Sequence, residues 1–183
     1  MPTIFSHGIA ALSFSSIFNT QIDKIRFYFL VFFFSILPDI DVISFLLGIP
    51  YSHPLGHRGF THSILFSILI PIPFLYFFYR NRDFKLYQIC ILWFAFFLSS
   101  FSHAVLDAMT NGGLGVCLFY PVSYDRFFFP FRPIQVSPIG KQFFSKSGIN
   151  VLKSEIIWIW APSFLFFILT ETINKIISIS KRK

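Results

Sequence analysis

Charged residues are scarce in this chain. Only 13% of its 183 residues are charged and eight are Asp or Glu, while 55% are hydrophobic and 29 are Phe. A soluble domain of this length has more surface to cover with polar side chains than this composition provides. The composition therefore argues against an ordinary soluble domain and predicts a single integral-membrane domain over residues 1–183.

Cysteine is scarce too, and the N-terminal sequence has few charges. Cys90 and Cys117 fall in a predicted span and in a loop, without CxxC spacing or a neighbouring His. They do not form a disulfide framework or a zinc knuckle. The opening sequence MPTIFSHGIAALSF lacks the basic region of a secretory signal. We therefore expect it to remain in the mature protein.

Five apolar segments predict an all-α membrane protein, a bundle of four to five transmembrane helices. Four of them are near the roughly 20 residues that a bilayer helix needs. The first is shorter and could re-enter the bilayer without crossing it. Pro71 and Pro73 in the third segment and Pro162 in the fifth are expected to kink their helices. The segments cover residues 4–18, 27–49, 59–79, 86–110 and 155–173.

Lys and Arg are distributed unevenly between the connections. If all five segments cross, one side carries nine basic residues and the other six, of which five lie in one long connection. The positive-inside rule then makes the first side, with the C-terminus, cytoplasmic. Membrane flanks account for the net charge of +7, so we expect no nucleic-acid partner. The cytoplasmic group is Lys24, Arg26, Arg80, Arg82, Lys85, Lys175, Lys181, Arg182 and Lys183; the other is Arg58, Arg126, Arg132, Lys141, Lys146 and Lys153.

Seven residues that bind metals or protons lie in or beside these apolar segments. Burying such groups costs several kcal/mol each unless they have partners. With alternating segments, all seven fall on the non-cytoplasmic half of the protein. This convergence predicts one site, with its polar residues gathered at one membrane face. The seven are His7, Asp39, Asp41, His57, His62, His103 and Asp107.

Two spacings suit metal coordination, although each has an alternative. His103 and Asp107 are four apart, which places both on one helix face, either sharing a metal or forming an interhelical hydrogen-bonding pair. Asp39 and Asp41 are two apart and would point to opposite sides of a straight helix. Pro38 favours a local break in which both turn inward, and a solvated turn between two half-helices is the alternative.

The stretch HRGFTHS at 57–63 is more specific. Gly59 permits a tight entry into the third segment, and Thr61 or Ser63 could cap its helix. Arg58 is a fixed cation that could bind a substrate phosphate through two parallel hydrogen bonds. The alternative is a polar interfacial turn before a capped helix. We expect His53, which is nearby in YSHPLGH, to be a bystander.

The mixture of imidazoles and carboxylates indicates a divalent metal, zinc or manganese, with iron as the other hydrolytic metal that such ligands hold. It does not indicate a calcium cage or an iron–sulfur cluster. There are enough ligands for two ions, which suits phosphoester chemistry. One ion with carboxylates in its outer shell is the alternative.

Three motifs together resemble a known family. They are LPDID at 37–41, HRGFTHS at 57–63 and SHAVLDAMTNGG at 102–113, with an early His7 and FPFRPI at 129–134. This set resembles the bacterial inner-membrane family described as predicted membrane-bound metal-dependent hydrolases, which includes a LexA-regulated member. The similarity covers most of residues 1–140. It implies a multi-pass inner-membrane protein, metal ligation by the seven residues and a place for Arg58 beside the metal or against the substrate.

The expected activity is hydrolysis of a lipid-like ester or phosphoester, with Asp41 or Asp107 as the catalytic base. The connection at about 111–153 mixes Arg, Tyr, Phe and Pro, as a lid over a lipid headgroup or a loop lying on the membrane would. Two other classes stay open, a metal or proton transporter and a non-catalytic membrane stress-response protein. Transporter sites usually lie near the bilayer midplane, whereas these residues lean to one face.

Overall fold

A computed structural model describes residues 1–18, 23–138 and 143–180. Within these ranges the regular structure is helical, and pairing between extended segments is limited to two isolated bridges. The predicted all-α class is confirmed for this part of the chain. The elements are α1 (Ile4–Ser15), α2 (Lys24–Ile36), a 3₁₀ helix (Leu37–Val42), α3 (Ile43–Leu46), a 3₁₀ turn (Phe60–His62), α4 (Ile64–Leu69), α5 (Pro71–Tyr79), α6 (Leu86–Ala108), α7 (Lys146–Glu155), a π-helix (Ile156–Trp160) and α8 (Ala161–Ser180).

Three helical stretches among the described residues are long and apolar enough to cross a membrane. Lys24–Leu46 and Leu86–Ala108 have 23 residues each, and Lys146–Ser180 has 35. Two apolar helices are shorter, Ile4–Ser15 and Ile64–Tyr79. Length and composition thus assign spans to the second, fourth and fifth predicted segments. The first and third segments form helices below the usual spanning length.

Pro71 and Pro162 coincide with helix irregularities, as the sequence predicted, whereas Pro73 lies in the first turn of α5 without interrupting it. α4 ends at Leu69 and α5 begins at Pro71, while the π-helix ends just before Pro162. Proline donates no backbone hydrogen bond and its ring collides with the carbonyl four residues earlier. For Pro162 that carbonyl belongs to Trp158, inside the π-helix, which widens the turn at the point of collision.

The last helix begins earlier than the sequence predicted. Its regular structure starts at Lys146, with Ser145 as N-cap, instead of near residue 155. The non-helical part of the predicted 111–153 connection therefore ends before α7. Four of the residues counted for membrane orientation lie outside the described residues: Lys141, Lys181, Arg182 and Lys183.

Side-chain contacts show how the helices align. Ser99 and His103 of α6 donate to the carbonyls of Val31 and Ser35 in α2, so these two helices run parallel. α4 is antiparallel to α6, since His62 and Ser67 contact His103 and Ser100 respectively. Phe34 and Phe96 stack with ring centroids 4.9 Å apart in the α2–α6 core.

α1 runs parallel to the α7–α8 helix. Thr3, before α1, binds Glu155 at the end of α7, and Ser16, after α1, contacts Thr170 and Asn174 in α8. As a result, four parts of the chain meet at one end of the bundle. They are the start of α1, the turn before α4 and the C-terminal ends of α2 and α6. That end holds the polar residues described next.

Candidate metal centre

All seven predicted residues, and Arg58, lie in one buried cluster. Three of the four histidines and Asp107 have no exposed surface, and the Asp39 side chain is 12% exposed. His53 lies outside the cluster, exposed to solvent, and its Nδ1 accepts from the Leu55 amide at 3.1 Å. The predicted convergence of these seven side chains is therefore present in the fold, while their roles as ligands stay a prediction.

Four ligand atoms from separate elements converge on one point. They are Asp39 Oδ1, His62 Nε2, His103 Nε2 and Asp107 Oδ2, all within 4.8 Å of one another. His62 Nε2 lies 3.2 Å from His103 Nε2 and 3.3 Å from Asp107 Oδ2, and His103 Nε2 lies 3.3 Å from Asp39 Oδ1. Tetrahedral ligands at about 2.0–2.1 Å from zinc are themselves about 3.3 Å apart. These three distances match that spacing, while Asp39 Oδ1 to His62 Nε2 is longer at 3.7 Å.

Hydrogen bonds on the far side of each ring aim the Nε2 atoms inward. His103 Nδ1 lies 2.7 Å from the Ser35 carbonyl, which can only accept, so Nδ1 carries the proton. His62 Nδ1 similarly lies 3.1 Å from the Asp41 carboxylate. In the neutral rings both Nε2 atoms then present lone pairs to each other and to two carboxylates. With both rings in this neutral form four acceptors converge, and a cation bound among them would stabilise that arrangement in place of a proton on His62.

The charges of the cluster also fit a divalent cation. Asp39, Asp41 and Asp107 supply three negative charges, and Arg58 supplies one positive charge. Buried charge that is left uncompensated is strongly destabilising. An ion of charge +2 would neutralise the excess, and two imidazoles with two carboxylates suit zinc or manganese.

The 3₁₀ helix that contains Pro38 explains how both carboxylates reach the same histidine. A 3₁₀ helix turns about 120° per residue. Asp39 and Asp41 are therefore closer in direction than on an α-helix, where residues two apart point to nearly opposite sides. Asp39 lies near Nε2 of His62, while Asp41 binds Nδ1 of the same ring. The local break predicted after Pro38 is confirmed.

Asp41 organises the HRGFTHS turn. Its Oδ1 accepts from His57 Nδ1 at 2.6 Å, and its Oδ2 accepts from the Arg58 amide at 2.9 Å and the Thr61 hydroxyl at 2.5 Å. A second potential metal-binding group joins Asp39, Asp41 and His57. The 2.6 Å contact inside it is a hydrogen-bond distance, shorter than the spacing of two ligands on one zinc ion. Asp41 and His57 thus form a hydrogen-bonded pair beside the four-atom group.

Arg58 is buried and turned toward the protein. Its Nε lies 2.8 Å from Asp107 Oδ2, and its two terminal nitrogens donate to the Gly112 carbonyl at 3.0 Å and the Thr110 hydroxyl at 3.2 Å. Gly113, with φ of 85°, has no room for a side chain against this guanidinium. The structure therefore ties Arg58 to the loop after α6, and its predicted contact with substrate stays a prediction.

His7 lies beside the four-atom group. Its ring stacks on His103 with centroids 3.7 Å apart, and its Nε2 is 3.8 Å from Asp107 Oδ1. Neither ring nitrogen has a hydrogen-bond partner among the described residues. The side chain is fully buried, so these two nitrogens are available to a ligand of the site.

Glu155 is a buried residue of this end that sequence reasoning did not assign to a site. Its carboxylate accepts from the Thr3 amide and hydroxyl and from the Ser6 hydroxyl, at 2.5–2.7 Å. These bonds fix the start of α1 immediately before His7. The sequence did carry a signal for this residue, because Glu155 is a lone carboxylate at the edge of an apolar segment.

From the sequence, Arg126 was counted as a basic charge and as part of the interfacial connection at about 111–153, without a contact to the HRGFTHS turn. Its guanidinium donates to the carbonyls of Tyr51, His53 and His57, and it lies over the Tyr51 ring. The long connection after α6 thereby holds the loop that leads into the HRGFTHS turn. Neither cysteine belongs to the cluster, and burial raises the pKa of the Cys117 thiol, which makes it less reactive.

Comparison with known proteins identifies the family. The family model described as YdjM inner membrane protein matches residues 1–177. The chain belongs to this family. It is 36% identical over 166 residues to the inner membrane protein YbcI of Escherichia coli (strain K12), which covers 90% of the chain and 94% of YbcI. No solved structure matches the chain.

Membership of this family confirms the predicted bacterial inner-membrane localisation, to which the apolar helices also point. The matched region includes every residue of the cluster.

Proposed function

We propose that this protein is a metal-dependent hydrolase of the inner membrane that acts on an ester or phosphoester of a lipid-like substrate. The observation that carries the proposal is the convergence of four ligand atoms, from Asp39, His62, His103 and Asp107, with three of their separations close to those of ligands on a tetrahedral ion. Zinc and manganese fit this donor set. A bound ion of this kind supplies Lewis acidity toward an ester oxygen and an acidified water.

His57 is the proton acceptor in this proposal. Asp41 holds the His57 ring through Nδ1, which leaves Nε2 of the neutral ring as a base. The sequence suggested Asp41 or Asp107 for this role. Here Asp41 orients His57 and His62, while Asp107 is a metal ligand paired with Arg58.

The position of the cluster favours an enzyme over a carrier. His103 and Asp107 lie in the last turns of α6, and His62 precedes α4. A transporter site usually lies near the bilayer midplane, between half-helices. We propose that this end of the bundle faces the non-cytoplasmic side, with the connection after α6 at the headgroup level as an interfacial loop. A single domain of four to five crossing segments, with a cytoplasmic C-terminus, completes the proposal.

The test combines metal analysis with a substrate screen. Protein purified in detergent is expected to contain zinc or manganese, and the metal-loaded protein to hydrolyse a phospholipid, an isoprenoid phosphate or an acyl ester. His103→Ala should lose both metal and activity because it removes a ligand and leaves buried carboxylates unpaired.

His53→Ala is the matched control, since that histidine is exposed and outside the cluster. Full metal content in His103→Ala would refute the shared centre. Stoichiometric metal without turnover on any of these substrates would refute the hydrolase proposal and favour a non-catalytic role.

A further inference from the structure

A second candidate site lies at the opposite end of the bundle from the metal centre. α5 and the first turns of α6 enclose a groove of about 420 Å³. Ile72, Leu75 and Trp93 are among its apolar lining residues. A volume of this size is within the roughly 300–1,000 Å³ of small-molecule sites. The groove therefore has room for part of a ligand with an apolar body.

The rim of this groove is basic. Arg80 and Arg82 line it, both exposed and without an ion-pair partner among residues 1–18, 23–138 and 143–180. Asp83, the residue after Arg82, is the nearest acidic residue along the chain. Arg26 of α2 approaches from the other side, with its guanidinium 5.9 Å from the Tyr79 ring centroid, but it is paired with Asp23.

Tyr79 adds a buried polar group to the same groove. Its side chain is 5% exposed, and its hydroxyl has no hydrogen-bond partner among the described residues. A buried hydroxyl left without a hydrogen-bond partner destabilises the fold. Tyr79 lines the groove between its apolar wall and Arg80, so a ligand bound there could satisfy the hydroxyl.

We propose that this groove binds one anionic glycerophospholipid. The acyl chain lies along the wall of Ile72, Leu75 and Trp93, and the phosphodiester accepts hydrogen bonds from Arg80, Arg82 and the Tyr79 hydroxyl. Basic pockets between membrane helices recognise anionic headgroups through these interactions. A zwitterionic lipid carries a headgroup ammonium, the choline cation in phosphatidylcholine, that two arginines without ion-pair partners repel, so charge complementarity selects the anionic class.

Cys90 provides a direct probe, because it lines the groove and is exposed, whereas Cys117 is buried. In a Cys117→Ala background in detergent, we measure the rate at which N-ethylmaleimide alkylates Cys90. Dioleoylphosphatidylglycerol at about ten times its Kd should slow alkylation about tenfold, as occupancy leaves one site in eleven free. Dioleoylphosphatidylcholine at the same concentration should protect far less.

The variants assign the protection to the proposed contacts. Arg80→Gln combined with Arg82→Gln should remove the difference between the two lipids, and Tyr79→Phe should weaken protection by phosphatidylglycerol. Arg132→Gln is the matched control, since that exposed arginine stacks on Phe128 at the other end of the bundle and should change nothing. Native mass spectrometry of the wild-type protein, which keeps Cys117, gives a second reading and should show one retained phosphatidylglycerol.

Equal protection by the two lipids would overturn the proposal, as would protection that survives the double arginine variant. Protection by inorganic phosphate alone, at the level given by the lipid, would overturn the assignment to a phospholipid. The site lies away from the metal centre, so these outcomes do not depend on hydrolase activity.

Discussion

At the scale of single residues, the cluster separates side chains that converge on the proposed metal position from side chains that orient them. His62 lies between two aspartates, with Asp39 near Nε2 and Asp41 on Nδ1. The sequence could identify all of these residues, because ionisable side chains are rare in so apolar a chain. It could not divide their roles. The division depends on which ring nitrogen carries the proton, and that is set by partners such as the Ser35 carbonyl, a backbone atom with no sequence signature.

We therefore expect substitution of the two aspartates to lower metal affinity by different amounts. Asp39→Asn removes a ligand charge and should abolish stoichiometric metal binding. Asp41→Asn keeps the side chain's shape but weakens its hold on His62 and His57, so we expect metal affinity to fall about 10–100-fold with binding still measurable. Competition with a chromogenic chelator measures both affinities. Equal losses in the two variants would contradict the division of roles.

Arg58→Lys tests the environment of the buried guanidinium. Lysine keeps the charge but cannot reach Asp107, Thr110 and Gly112 together, since it lacks the planar fork. Loss of one or two charge-assisted hydrogen bonds should lower stability by about 2–4 kcal/mol. Thermal unfolding in detergent measures the change.

Arg132→Lys, at an exposed position, should leave the melting temperature nearly unchanged. If Arg58→Lys is as stable as wild type and loses only turnover, the arginine acts on substrate, as the sequence suggested.

At the scale of helices, hydropathy located most elements but misplaced the start of the last. α7 has the polar sequence KSGINVLKSE, which does not read as part of a span, yet it continues directly into the π-helix and α8. Its buried residues, Val151 and Glu155 among them, fall on one face. Packing of that face explains why the helix begins at Lys146. A mean hydropathy over the segment does not detect it, because polar residues on the other face lower the mean.

At the same scale, Pro38 determines how the aspartates of the proposed metal centre are oriented. Replacing it with Ala restores a backbone N–H and lets α2 continue as an α-helix, which rotates Asp39 away from its direction in the 3₁₀ helix. We expect metal affinity to fall at least about tenfold, as for loss of an orienting contact, while helix content stays constant. Chelator competition and circular dichroism measure the two quantities.

Pro73→Ala is the control, because Pro73 is exposed in α5, remote from the cluster. Unchanged metal affinity in Pro38→Ala would show that the 3₁₀ helix is not required to orient the aspartates.

At the scale of the whole molecule, the two ends of the bundle differ in chemistry. One end holds the acidic and histidine cluster, and the other holds Arg26, Arg80 and Arg82 around an apolar groove. The count of basic residues in alternating connections predicted this difference between the two ends. The sequence could not predict the packing that connects the two ends. α1 packs parallel to α7–α8, with contacts through Thr3, Glu155 and Asn174.

The proposed membrane orientation depends on one helix. Lys146–Ser180 has 35 residues, so at about 1.5 Å per residue it extends about 52 Å, more than the roughly 30 Å hydrocarbon core. If it crosses, the connection after α6 and the C-terminus lie on opposite sides, whether or not α1 spans. Basic residues at and beyond Lys175 then favour a cytoplasmic C-terminus.

A pair of reporters tests this orientation. Gly148, in the polar stretch before the fifth apolar segment, is buried in α7 against the Phe143 carbonyl, so an insertion there would disturb the helix. Val122, 93% exposed in the connection after α6, is a better position. A reporter after Val122 should be external and one fused after Lys183 cytoplasmic. If both report the cytoplasm, Lys146–Ser180 does not cross, and the metal centre, at the same end as that connection, faces the cytoplasm.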